Sequence, residues 1–213
     1  MKPTRILLFA GGNLGNWANR EIHENDWLVG VDRGALYLVR NGFVPKLSIG
    51  DFDSVSTQEM DEIERHSVQV SSCDPVMKDL TDTEMALSWA IEQKPQEIVL
   101  LGVLGSRFDH MLANVHLLHK CLQTGIDCRI LDETNEIRLI DRRCKVEQDH
   151  FDHVSLLPFT PEVTGITLEG FLYPLEDATL RVGDTLGISN LLTEQTGTIT
   201  IRTGQLLVIK SKD

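Results

Sequence analysis

The chain has 213 residues, 41% hydrophobic and 24% charged, a balance that builds one large or two modest soluble globular domains and excludes a fibrous or disordered polymer. Twenty Lys and Arg against thirty-two Asp and Glu leave a formal net charge of −12; with no basic cluster, nucleic acid is not an expected partner. The apolar runs fall far short of the ~18 residues that a bilayer span needs, no secretory leader precedes the first strand pattern, and a cytoplasmic protein without membrane contact is expected.

In chain order, strands are predicted at Arg5–Ala10, Trp27–Val31, Leu47–Gly50, Val68–Ser72, Ile98–Gly102 and Cys128–Asp132, alternating with amphipathic helical segments. That alternation predicts an α/β domain over residues 1–132, a Rossmann-like parallel sheet with helices on both faces. Two helix starts carry capping-box spacing, Ser56-x-x-Glu59 and Thr81-x-x-Glu84. The clearest helix runs from Asp109 to Thr124, with Met111, Val115, Leu118 and Leu122 on one stripe and Gly125 as a left-handed stop. Past Glu133 the helical patterns give way to Thr- and Gly-punctuated alternation, predicting an all-β sandwich over residues 133–213. Within it, Thr198–Arg202 and Gln205–Ile209 flank Thr203-Gly204 and read as a hairpin. Cys73, Cys121, Cys128 and Cys144 show no CxxC spacing and read as thiols in ordinary positions rather than a zinc site or a disulfide framework.

Open parallel sheets bind ligands beyond the carboxyl ends of their strands, so the residues that follow each strand matter most. They are Gly11-Gly12-Asn13; Asp32-Arg33-Gly34; Asp51-Phe52-Asp53-Ser54; after a short loop Lys78-Asp79-Leu80-Thr81-Asp82; and Gly105-Ser106-Arg107-Phe108-Asp109. Six aspartates, Asp32, Asp51, Asp53, Asp79, Asp82 and Asp109, thereby converge on one rim. Carboxylates sharing a cleft either take up protons or hold cations. Asp51 and Asp53, one residue apart, with Asp82 as a third ligand, suit Mg²⁺, which takes one or two carboxylates together with waters and phosphate oxygens. Arg33, Lys78 and Arg107 stand among the acids where phosphates would be met, with Ser54 and Asp79 beside them. Each piece also has a plain structural role: Asp82 complements a helix dipole, Asp109 caps a helix, and Asp51-x-Asp53-Ser54 forms a turn. The glycine run at Gly11 is neither a dinucleotide fingerprint nor a P-loop.

Taken with Val31-Asp32-Arg33-Gly34-Ala35, Leu157-Pro158-Phe159, Val163-Thr164-Gly165 and Gly187-Ile188-Ser189-Asn190, these motifs cover nearly the whole chain and resemble the thiamine pyrophosphokinase (thiamine diphosphokinase) family. The resemblance implies an α/β catalytic domain followed by a β-sandwich, assembled as a homodimer with active sites at the interface. It implies Mg²⁺-dependent transfer of a pyrophosphoryl group from ATP to the hydroxyl of thiamine, giving thiamine diphosphate and AMP. By motif, Asp51, Asp53 and Asp82 correspond to the metal-holding carboxylates; Asp32, Arg107 and Asp109 lie close to nucleotide or phosphates; Ser189 and Asn190 correspond to the thiamine-contacting segment. Asp109 is the residue expected to influence the alcohol proton. Two other readings stay open: a Mg²⁺-dependent phosphohydrolase, because Asp-x-Asp after a strand also serves as a nucleophile motif, and a non-catalytic nucleotide-binding regulator.

Overall fold

Ile6, Leu7, Leu8 and Phe9 are consecutive and all buried. Successive strand side chains point to opposite faces, so such a run requires cover on both sides of its sheet. It belongs to a unit spanning Met1–Glu133, with a second unit over Thr134–Asp213; the computed structural model describes residues 2–72 and 79–213.

The first unit runs β1 (Arg5–Phe9), α1 (Asn16–Arg20), β2 (Trp27–Val31), α2 (Arg33–Arg40), β3 (Leu47–Gly50), α3 (Thr57–His66), β4 (Val70–Ser72), α4 (Asp82–Glu92), β5 (Glu97–Leu101), α5 (Phe108–Thr124) and β6 (Asp127–Leu131). These six strands lie in the order β4-β3-β2-β1-β5-β6, and every pairing among them is parallel. The chain leaves β1 toward β2, β3 and β4, then returns to place β5 on the other side, so a switch point opens between β1 and β5. The predicted strands recur within one or two residues. β4 starts at Val70, because exposed Val68 hands its N–H to the Pro45 carbonyl instead.

Local signals account for the helix ends. Ser56 and Glu59 form the reciprocal capping box at α3, and Gly125 closes α5 in the left-handed conformation at φ 73. At α4 only half of the expected box forms: Thr81 accepts from the Glu84 N–H at 3.2 Å, while the Glu84 carboxylate pairs with Lys120. The stripe expected on α5 is displaced. Its buried side chains are Asn114, Leu117, Leu118 and Cys121, and Met111, Val115 and Leu122 flank them half-buried. Asn114 escaped notice because it is polar; its Nδ2 donates to the Val103 carbonyl at 2.8 Å, which makes its burial tolerable.

The second unit runs β7 (Asn135–Ile140), β8 (Arg143–Glu147), β9 (His153–Pro158), β10 (Glu162–Glu169), β11 (Ala178–Arg181), β12 (Thr196–Thr200) and β13 (Leu206–Ser211). β13 pairs antiparallel with β7 and β9, while β11, β10, β12 and β8 form a separate antiparallel sheet. Side chains from both sheets fill one core, among them Val154, Leu156, Val163, Ile166, Ile199, Leu206 and Val208. The hairpin expected around Thr203-Gly204 does not form: β12 and β13 belong to different sheets. Ile199 and Ile201 must face Leu206 and Val208 across that core, so the chain changes sheets at the turn, and Arg202 and Thr203 bond Thr164 instead.

Replacing Ser56 by Ala removes the side-chain half of the α3 cap and lowers the unfolding free energy by about 1 kcal/mol, read from urea midpoints at pH 7. The Ser56 hydrogen bonds hold the Glu59 carboxyl below its ordinary value, so this stabilisation is present above the unfolded pKa and is lost as pH falls through the folded one. The Ser56 backbone N–H, the larger cause, survives the substitution, so only the share of the gap owed to the hydroxyl's bond to Glu59 narrows on acidification below about pH 4.5.

Candidate active site

Beyond β1 and β5 the chain forms two loops that touch: the Ala10 N–H donates to the Leu101 carbonyl and the Gly12 N–H to the Gly102 carbonyl, each at 2.8 Å. A cleft of about 300 Å³ opens there, and Gly11, Gly12, Asp32, Asp82, Arg107 and Asn114 are among its lining residues. α2 reaches this level because Gly34 has no β-carbon; one would stand 1.8 Å from the Phe9 carbonyl oxygen.

The acidic centre is built from three elements. Asp32 follows β2 at φ 48 and ψ −118, a conformation sparsely occupied by residues other than glycine. Its Oδ1 accepts from the Phe52 N–H at 3.1 Å, and the space it occupies exists because Gly50 lacks a side chain: a β-carbon there would lie 1.9 Å from that oxygen. Phe52 itself turns to φ 54 and buries its ring with Ala35, Leu36 and Ile63. That turn brings Asp51 inward, where its Oδ1 accepts from the Asp53 N–H at 3.2 Å. Asp82 opens α4, immediately after the Thr81 cap. One carboxylate oxygen from each of Asp32, Asp51 and Asp82 comes within 4.8 Å of the others, and all three side chains are half-buried. A donor set made only of carboxylate oxygens suits a hard divalent cation and not a soft one.

Two of the expected ligands, Asp51 and Asp82, are thus brought together, and the third member is Asp32. Asp53 lies outside the triad, exposed one residue beyond Asp51. Asp79 is exposed and does not line the cleft. Lys78 falls outside the described residues. Arg33 donates to the Ser54 carbonyl at 3.3 Å and so ties the loop after β2 to the loop after β3. Asp51 also lines a second cleft of about 300 Å³ with Phe52, Val55, Ser56, Thr57, Met60 and Ser72.

At the lip, Asp109 occupies the first turn of α5 rather than its cap, which is Arg107. Arg107 grips it through two bonds, Nε to Oδ1 at 3.2 Å and Nη2 to Oδ2 at 2.6 Å. That guanidinium lowers the Asp109 carboxyl to about 2 from an ordinary 3.8. Thr81, Thr83, Ser106, His110 and Asn114 also line the cleft. Of these, Asn114 carried a usable signal, a polar residue among the apolar positions of a helix.

In the second unit, Ser189 is exposed at φ 57, and its N–H donates to Ser155 Oγ at 3.0 Å. Asn190 is buried. Its Oδ1 accepts from the N–H groups of Tyr173 and Leu191, and its Nδ2 donates to the Tyr173 carbonyl.

Comparison with known proteins places these features in a family. Residues 18–130 match the profile described as "Thiamin pyrophosphokinase, catalytic domain", and residues 143–208 match "Thiamin pyrophosphokinase, vitamin B1 binding domain". The thiamine pyrophosphokinase of Bacillus subtilis is 36% identical over 220 residues, covering all of both chains. A crystal structure of the Bacillus subtilis thiamine pyrophosphokinase superposes with a TM-score of 0.92 at 35% identity, over 98% of this chain and 99% of that one. The thiamin pyrophosphokinase from Geobacillus thermodenitrificans gives 0.89 at 34% identity, over 98% of each chain.

Exchanging Arg107 for Gln removes the charge that holds the Asp109 carboxyl below its ordinary value. The Asp109 carboxyl then rises from about 2 toward its ordinary value, read by carboxyl-carbon NMR with Asp109→Asn to assign the resonance. An unchanged midpoint would mean that the pair does not form in solution.

Proposed function

The chain belongs to the thiamine pyrophosphokinase family, and on that premise we propose how it carries out ATP-dependent transfer of a pyrophosphoryl group to thiamine, giving thiamine diphosphate. The observation that carries the reading is the gathering of Asp32, Asp51 and Asp82 beside a glycine-lined cleft at the sheet's switch point. In this reading the first unit is a Rossmann-like nucleotide domain over residues 1–132, and the second, over residues 133–213, is a β-sandwich that receives thiamine.

Asp32, Asp51 and Asp82 hold the cation, and Mg²⁺ is the proposed one, because three hard oxygens leave its remaining positions to water and phosphate. When bound, it offsets the charge of the triphosphate and of the leaving AMP oxygen. Exposed Asp53 stands where a second cation or its waters would be met. The Arg107 guanidinium faces the phosphates, the glycines of the Gly11-Gly12 loop leave room for them in the cleft, and Arg33 and Ser54 brace the neighbouring loop. Lys78 and Asp79 are kept in the proposed phosphate-side set on the family motif alone.

The thiamine hydroxyl oxygen attacks the β-phosphorus, the bond to the bridging α–β oxygen breaks, AMP departs, and the hydroxyl proton is released. A loose transition state of this kind demands alignment and charge stabilisation more than a strong base. This agrees with the state of Asp109: a carboxyl held at about 2 is a poor proton acceptor, so its role is to aim Arg107. Ser189 contacts the acceptor. We further propose a homodimer with its active sites at the subunit interface, which is supported by exposed Phe108 and Leu112, one helical turn apart beside Arg107.

Asp51→Asn and Asp82→Asn should each cut turnover by at least ~10²-fold while leaving the unfolding midpoint near that of the parent. Near-normal rates in both would remove the metal role. Incubation with ATP, Mg²⁺ and thiamine, followed by chromatography of the products, decides the reaction itself. AMP with thiamine diphosphate is expected. ADP with thiamine monophosphate would make the protein a simple kinase, and phosphate released without thiamine would make it a hydrolase.

A further inference from the structure

The Asn190 carboxamide is engaged inside the protein. Its Oδ1 receives the N–H of Tyr173 at 3.0 Å and that of Leu191 at 2.9 Å, and its Nδ2 donates to the Tyr173 carbonyl at 2.8 Å. Both lone-pair directions of the oxygen and one N–H of the nitrogen are therefore taken. The residue's own backbone exchanges two further bonds with Val154.

These contacts have a pattern. Phe171 and Leu192 face each other in an antiparallel bridge, and the Leu172 N–H donates to the Leu191 carbonyl at 2.9 Å. The Asn190 side chain, a peptide group in miniature, adds the next rung by pairing with both the N–H and the C=O of Tyr173. That rung fixes the backbone of a residue whose own side chain is 62% exposed. Of the four aromatic residues of the second unit, Phe151 and Phe171 are buried and Phe159 is half-buried, which leaves Tyr173 as the exposed ring. Leu172 and Ile188 are exposed beside it in sequence and beside Ser189.

We infer that Tyr173 is the aromatic face on which thiamine rests, and that Asn190 is a positioning residue acting through Tyr173; this rests on the reading of the chain as a thiamine pyrophosphokinase. Thiamine joins a flat aminopyrimidine to a cationic thiazolium, and a phenol ring attracts both, by offset stacking and through its negative face. An aromatic ring that must be ordered on binding costs affinity, whereas one on a backbone fixed at both polar groups is already in place. Ser189, adjacent to the clamp at φ 57, contributes its hydroxyl at the edge of the same surface.

Steady-state kinetics of variants test the assignment. Tyr173→Ala raises KM for thiamine about tenfold and moves KM for ATP less than about twofold, and Tyr173→Phe, which keeps the ring, stays within about threefold of the parent for thiamine. Asn190→Asp keeps the size and the acceptor but removes the Nδ2 donor; it raises KM for thiamine, and combining it with Tyr173→Ala adds little. Unchanged thiamine KM in Tyr173→Ala, or equal rises for thiamine and ATP, overturns the role of Tyr173. Additive effects in the double variant overturn the role given to Asn190. If Asn190→Asp does not fold, Tyr173→Ala, which alters an exposed side chain, decides alone. Parent protein that forms no AMP in response to thiamine refutes the reaction itself, an outcome distinct from a silent Tyr173 variant.

Discussion

Three carboxylates whose oxygens come within 4.8 Å of one another repel while they are ionised and uncompensated, and the first unit is organised to hold them there. Two residues take strained backbone conformations for that purpose, Asp32 at φ 48 and Phe52 at φ 54, at a cost of about 1–3 kcal/mol each. Rigid surroundings impose the strain. The Phe52 ring is locked among Ala35, Leu36 and Ile63, its N–H binds Asp32, and Gly34 lets α2 sit against the end of β1. A dication reverses the sign of the electrostatic term and leaves the rigidity untouched.

The same requirement explains where the acids stand. Asp82 begins α4, where the unsatisfied N–H groups of a helix start favour a negative charge. Asp32 and Asp51 follow neighbouring parallel strands, β2 and β3, whose carboxyl ends lie at one level. That level edge belongs to a parallel sheet covered on both faces, and the buried runs of β1 and β5 are the mark of that cover. The charged rim therefore depends on apolar strands that never touch a ligand.

The strands, α5 and its glycine stop, and the rim position of all three clustered acids were legible in the sequence because each has a local signal: apolar runs, capping residues, and a carboxylate after a strand or at a helix start. The rest depended on geometry with no local signature. Alternating residues share a face only while a strand continues, and β3 ends at Gly50 ahead of a turn with positive φ at Phe52, so Asp51 lies in the cluster and Asp53 is exposed. Asp32, expected on the nucleotide side, joins the cluster because a glycine on another strand, Gly50, makes room for it. The expected hairpin at Thr203-Gly204 failed for a similar reason: a two-residue turn specifies a reversal of direction but not which sheet receives the next strand, and that choice was made by the shared core of Ile199, Ile201, Leu206 and Val208. Asn190 was legible as a special residue, yet its partners lie seventeen positions away at Tyr173.

Charge balance in the cleft constrains how two unlike substrates meet. Arg107 is matched by Asp109 through two bonds, so its positive charge is largely offset before any nucleotide arrives, while Asp32, Asp51 and Asp82 present only negative groups. On a chain of net charge −12, a triphosphate approaching alone meets repulsion, whereas a thiazolium cation is drawn in. On the proposed reading nucleotide and dication bind as mutually dependent partners, each raising the affinity for the other by the same factor. On the same reading thiamine needs no such escort, and its discrimination falls to shape and ring contact in the second unit, where charge would not separate it from other small cations.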